Sequence, residues 1–173
     1  MAADVGDVWE DALEEAFKLL NNECLMQWHA FPDTKRSGGG AISNQPSDYL
    51  VGLPIGSDSE QRMMFVEAKA SEKHNKLQKA AIRPGQRGFI HRWRMMLQLP
   101  YYIFFYSTVS GELQIWDGAG AAGNRLKAEH KLAAWKVGAG REVDARLAAD
   151  HIKRFFDLPD KSKAVESYRR LDA

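Results

Sequence analysis

The sequence predicts an α/β domain, a single αβββαβ-type mixed sheet flanked by helices with a C-terminal helical extension. Three observations carry this reading. Trp9, Leu13, Ala16, Phe17 and Leu20 recur at helical spacing. Met63 to Ala70 alternates between two faces, with Met64, Val66, Ala68 and Ala70 on one and Met63, Phe65, Glu67 and Lys69 on the other. Tyr101 to Val109 is almost wholly apolar, as a strand buried on both faces requires.

Taken in order, the first helix runs from Val8 to Leu20, with Asp4 or Asp7 as its cap and Asn21-Asn22 at its end. Leu25 to Phe31 reads as a short strand. The segment Asp33 to Ser47 reads as a mobile loop, since Gly38-Gly39-Gly40 carries high backbone entropy. Asp48 to Leu53 and Met63 to Ala70 are strands joined by the polar turn Gly56 to Glu60. Pro84-Gly85 precedes a helix from Gln86 to Leu99, whose apolar stripe is Phe89, Ile90, Trp93, Met96 and Leu97 and whose opposite face carries Arg87, His91 and Arg94. Tyr101 to Val109 and Glu112 to Trp116 are strands about the turn Ser110-Gly111. Residues 124–158 show only helical patterning and a second loop, Gly138-Ala139-Gly140. The domain therefore divides into a core, residues 1–117, and a loop with a C-terminal helical extension, residues 118–173. The apolar faces around Trp9, Phe17 and Phe155-Phe156 serve either the core or an interface.

Composition narrows the function classes. The 173 residues are 45% hydrophobic and 27% charged, ordinary for a globular domain. Cys24 is the single cysteine, which excludes an internal disulfide and a zinc–thiolate cluster. No apolar run approaches a bilayer span, and Met1 to Asp4 lacks the plan of a secretory signal, so the expectation is an intracellular, cytoplasmic protein with no membrane partner. The net charge of +1 hides an asymmetry. From Lys69 to Arg94 there are eight Lys or Arg and one acid, Glu72, while the remainder carries a net charge of −6. Such a segment is either a solvated face or an anion-binding patch for nucleic-acid phosphates.

Chemistry converges just before that patch. Glu67 and Lys69 share a strand face, and a hairpin brings Asp48 alongside them. Two carboxylates suit a hard cation such as Mg²⁺, and an adjacent lysine suits phosphodiester hydrolysis. His29, His74 and His91 have no ligand spacing and read as surface or satisfied histidines. Gly118-x-Gly120-x-x-Gly123 matches the dinucleotide-binding spelling, but it reads as a flexible loop because no second parallel strand follows.

Asp48 followed by Glu67-x-Lys69 on the next strand resembles the PD-(D/E)XK nuclease superfamily, whose fold is restriction-endonuclease-like. Gly6-x-x-x-Glu10, Ser47-Asp48-Tyr49 with Gly52, Phe65-x-Glu67-Ala68-Lys69 and Gln86 resemble RecU-type Holliday-junction resolvases, phage-encoded relatives included. The resemblance spans Gly6 to Trp116. It implies that Asp48 and Glu67 hold Mg²⁺ (with Mn²⁺ as a substitute), that the Ala68 carbonyl is a further ligand, and that Lys69 activates water or holds the scissile phosphate. Glu10 would add a carboxylate from the first helix and Gln86 a polar contact. Glu10 could instead serve the helix dipole, with Glu14 one turn on as its substitute, and Gln86 could be a helix-terminus polar group. DNA contacts are expected from Lys35, Arg36, Lys73, Lys76, Lys79, Arg83 and Arg87. The implied activity is metal-dependent, structure-selective cleavage of branched or duplex DNA by a homodimer, in recombination, repair or phage DNA processing. A flap or restriction-type nuclease of the same superfamily, or a DNA-binding module without cleavage, are the alternatives.

Overall fold

The computed structural model describes residues 4–31, 47–54 and 63–160. Its order is α1 (Val5–Asn22), β1 (Gln27–Ala30), β2 (Tyr49–Gly52), β3 (Met63–Ser71), α2 (Pro84–Leu97), β4 (Tyr101–Ser107), β5 (Glu112–Asp117), α3 (Gly118–Ala122), β6 (Lys131–Lys136), β7 (Gly138–Ala139), β8 (Glu142–Val143) and α4 (Ala145–Phe155). The first six strands form one sheet in sequential order. β3 and β4 are parallel and every other neighbouring pair is antiparallel. The sheet is thus mixed and helix-flanked, as the sequence predicts. α2 is the crossover that the parallel pair needs.

α1 forms where its apolar stripe lies. Asp4 caps it by accepting from the Gly6 amide at 3.0 Å. Its buried side is Trp9, Leu13, Ala16, Phe17 and Leu20. These pack on Met64, Val66 and Ala68 of β3 and on Phe104 and Tyr106 of β4, with α4 (Ala148, Ala149, Ile152) completing the layer. The Trp9 indole donates to the Phe104 carbonyl at 3.0 Å, so a large buried side chain keeps no orphan polar atom. Trp9, Phe17 and Phe156 are core residues and not an exposed interface. The other sheet face, with Phe65, Tyr101, Ile103 and Phe105, packs on Leu77, Ile82, Ile90, Ala121 and Ala122.

Three sequence expectations are corrected. Residues 124–158 are not helical throughout: β6 extends the sheet beside β5, and Gly138 to Val143 form the β7–β8 hairpin. Lys-Leu-Ala-Ala-Trp-Lys conceals an edge strand because alanines suit a helix and lysines suit a charged edge. Gly118 to Ala122 is no flexible loop. It is a short helix capped by Asp117, pressed against Tyr101 so closely that a Cβ on Gly118 would clash with it. On α2, Ile90 is buried, but Met96 is 74% and Leu97 47% exposed. The helix periodicity identifies a face and not which of its turns is covered. α2 packs on α3, which has five residues to its fourteen and is too short to cover its last turns.

Candidate active site

The site lies where β2 stops and β3 continues. The register pairs Tyr49 with Val66 and so sets Asp48 opposite Glu67, with both side chains on the face of β3 that carries Phe65. Asp48 is the last residue before the strand. Ser47, buried, fixes that entry by donating to the Tyr49 carbonyl at 2.7 Å, and the Phe31 amide donates to the Asp48 carbonyl at 2.9 Å. Beyond this point β3 has no β2 partner, and the Asp48 side chain takes the place of one. Its Oδ2 accepts from the Ala68 amide at 2.7 Å.

Glu67 is 4% exposed, and both its oxygens accept hydrogen bonds. Oε1 accepts from the Lys69 ammonium and from the Gln86 amide, and Oε2 accepts from the Tyr101 hydroxyl at 2.9 Å. Gln86 also accepts from the Arg83 amide at 3.1 Å, so it caps α2 and holds the carboxylate at once. Tyr101, 34 residues from Glu67, is the contact that sequence reasoning misses. Its hydroxyl is pushed well above the usual phenol range by burial, and secondarily by the Glu67 carboxylate.

Burial also raises the Asp48 carboxyl, to about 7. Glu67 adds to the rise and Glu10 contributes a smaller push, while Lys69 and the Ala68 amide oppose it. Glu10 is thus within electrostatic reach of Asp48. Glu14 is turned to Tyr49, whose hydroxyl donates to it at 3.5 Å. Two carboxylates facing each other in a poorly solvated notch make a place where positive charge is favoured. Among the described residues, no three His, Cys, Asp or Glu side chains form a metal-holding group. Mg²⁺ fits the smaller set nonetheless, since it binds through one or two carboxylates and keeps several waters.

The basic residues separate into two groups. Lys79 donates to the carbonyls of Ala121, Ala122 and Gly123, closing the end of α3. Arg87 donates to the carbonyls of Ile82 at 2.9 Å and Lys79 at 3.3 Å. Both are built into the scaffold, so the sequence overstates their availability to DNA. Lys73, Lys76 and Arg83 are exposed around the β3–α2 connection. Lys35 and Arg36 lie outside the described residues. His29, His74 and His91 are exposed and apart, as expected.

No known family model matches the chain, and no curated protein matches it.

Proposed function

We propose that the protein is a Mg²⁺-dependent endodeoxyribonuclease of PD-(D/E)XK type, selective for branched DNA. The observation that supports this most is the cross-strand pairing of Asp48 with Glu67 at the free end of β2, with Lys69 on the same face of β3. Asp48 and Glu67 would hold the cation, beside Ala68 and with Glu10 at the margin. A bound Mg²⁺ would polarise a phosphate oxygen and make a bound water more acidic. The chain's own residues do the positioning. The Ala68 amide and the β3 register fix Asp48, and Tyr101 and Gln86 fix Glu67. Lys69 supplies a positive charge for the negative charge that develops on the attacked phosphate. The exposed bases between Lys73 and Arg83 hold the flanking backbone.

A four-way junction is pseudo-two-fold symmetric, and paired cuts on opposite strands call for two sites in the same relation. A homodimer with two-fold symmetry provides them. No helix among the described residues is long and apolar enough to cross a membrane.

A cleavage panel of four-way junction, flap, linear duplex and single strand, with Mg²⁺ and with chelator, tests this reading. The expectation is a dimer by light scattering that cuts the junction at symmetric positions, needs the metal, and leaves linear duplex largely intact. No metal-dependent cutting of any substrate overturns the nuclease reading. Equal cutting of linear duplex by a monomer overturns only its resolvase part.

A further inference from the structure

The β7–β8 hairpin stands outside the main sheet and is seated by its backbone. The amides of Val137 and Gly138 donate to the Gly111 carbonyl at 2.9 and 3.2 Å. A Cβ on Gly138 would run into the Glu142 carbonyl oxygen, and one on Gly111, at φ +67°, into the Gly138 carbonyl. The Tyr106 hydroxyl donates to the Gly140 carbonyl at 3.0 Å, and its ring stacks on Trp9, the neighbour of Glu10. These contacts place the hairpin at the Ser71–Ser107 end of the sheet, beside the start of α1. That is the end towards which Glu67 and Lys69 lead.

The hairpin tip turns at Gly140, φ +55°, with open space around it. From there Arg141 reaches across 69 residues of sequence to Glu72, its Nε 2.6 Å and its Nη2 2.5 Å from one carboxylate oxygen. Glu72 directly follows β3, three residues and about 10 Å beyond Lys69. It is also the only acid in the basic Lys69–Arg94 segment, with exposed Lys73 and Lys76 next to it. Both partners of the pair are more than 40% exposed, and pairs of that kind contribute little to stability. The hairpin is therefore not held by this pair. A planar guanidinium that meets an exposed carboxylate can also meet a phosphate, which its parallel N–H groups grip through two oxygens.

We propose that the β7–β8 hairpin is a clamp on the DNA backbone at the same end of the sheet as the site, with Arg141 binding a substrate phosphate and Glu72 as the carboxylate it leaves to do so. This rests on the nuclease reading above. It extends the DNA-contacting surface to a part of the chain far from the basic segment, and makes Glu72 a brake on affinity.

The test is fluorescence anisotropy of a labelled four-way junction over a range of salt in chelator, using the full chain. The variants are Arg141→Gln, Glu72→Gln, the double variant, and Glu129→Gln at the opposite end of the sheet as a control for removal of a negative charge. Arg141→Gln should weaken binding roughly three- to tenfold and lower the salt slope by about 0.9. Arg141→Lys, which keeps the charge without the fork, should fall between it and wild type. Glu72→Gln should tighten binding in the wild-type background and change nothing once Arg141 is gone. An unchanged slope in Arg141→Gln with an unchanged melting temperature overturns the clamp. So does a Glu72→Gln gain that persists without Arg141, or that Glu129→Gln reproduces. If the wild type cuts DNA with Mg²⁺ under these outcomes, only the clamp falls. If the wild type neither binds nor cuts, the nuclease reading falls with it.

Discussion

The hydroxyl of Tyr101 donates to Oε2 of Glu67 at 2.9 Å, and both groups are almost wholly buried. One carboxylate oxygen is thereby committed to the interior, and only Oε1, shared by Lys69 and Gln86, is turned to charged and polar groups. Tyr101→Phe keeps the ring and deletes the donor, leaving a buried oxygen unpartnered at a cost of about 1–3 kcal/mol. The expected result is a lower urea midpoint together with weaker Mg²⁺ binding by calorimetry. Reduced stability with unchanged Mg²⁺ binding would leave Tyr101 a core residue without influence on the site.

Asp48 makes stability depend on pH in a definite direction. Its folded carboxyl titrates near 7 against an ordinary value of 3.8, so folding favours the protonated form. The stability this contributes is complete below about pH 4 and is lost as pH rises through 7. Asp48→Asn has no such titration. In urea melts with chelator, the variant should therefore gain on the wild type steadily between about pH 4 and 7 and hold that gain above it. Parallel stability curves would show that the notch does not disfavour the charge. In the same variant, DNA cleavage should vanish while binding survives, since backbone contacts elsewhere carry affinity.

The split among the basic residues gives opposite expectations for near neighbours. Lys79→Ala removes the donor to three carbonyls at the end of α3, and should lower the melting temperature with little change in the salt dependence of DNA binding. Combined Lys73, Lys76 and Arg83 to Ala should leave the melt alone and flatten the salt slope by about 0.9 for each phosphate no longer neutralised. Identical slopes for wild type and the triple variant would return these residues to a solvated face.

The parts of the site that lie on regular strands are open to sequence reasoning. Glu67 and Lys69 share a face because a strand alternates every two residues, and a hairpin need only be in register to bring Asp48 opposite Glu67. Tyr101 and Arg141 follow no such period. Tyr101 belongs to an apolar run that reads as core, which it also is, and nothing local marks its hydroxyl for Glu67. Arg141 meets Glu72 only because β6 carries the chain back across the sheet, and β6 is the strand whose Lys-Leu-Ala-Ala-Trp-Lys pattern resembles a helix. The excess of cations from Lys69 to Arg94 is plain in the sequence, yet it does not separate Lys79 and Arg87, turned to backbone carbonyls, from Lys73 and Lys76 in solvent.

Lys69 has two candidate duties, and the contact it makes does not by itself choose between them. Its ammonium lies on Oε1 of Glu67, about one-fifth exposed, where it offsets a buried carboxylate. The same position puts a positive charge beside the notch in which a phosphate would be attacked. A purely structural partner would affect folding and leave the chemical step alone. A charge aimed at the reacting phosphate would affect the chemical step, because a preorganised contact that strengthens as charge develops is typically worth about 10²–10³ in rate, or 3–4 kcal/mol. Lys69→Met keeps most of the bulk of the side chain and removes the ammonium. Under single-turnover conditions with saturating Mg²⁺, the expected result is a rate reduced by about two to three orders of magnitude with the junction still bound. A two-fold drop, in a variant whose urea midpoint has fallen, would make Lys69 the companion of Glu67 and leave the reacting phosphate to other groups.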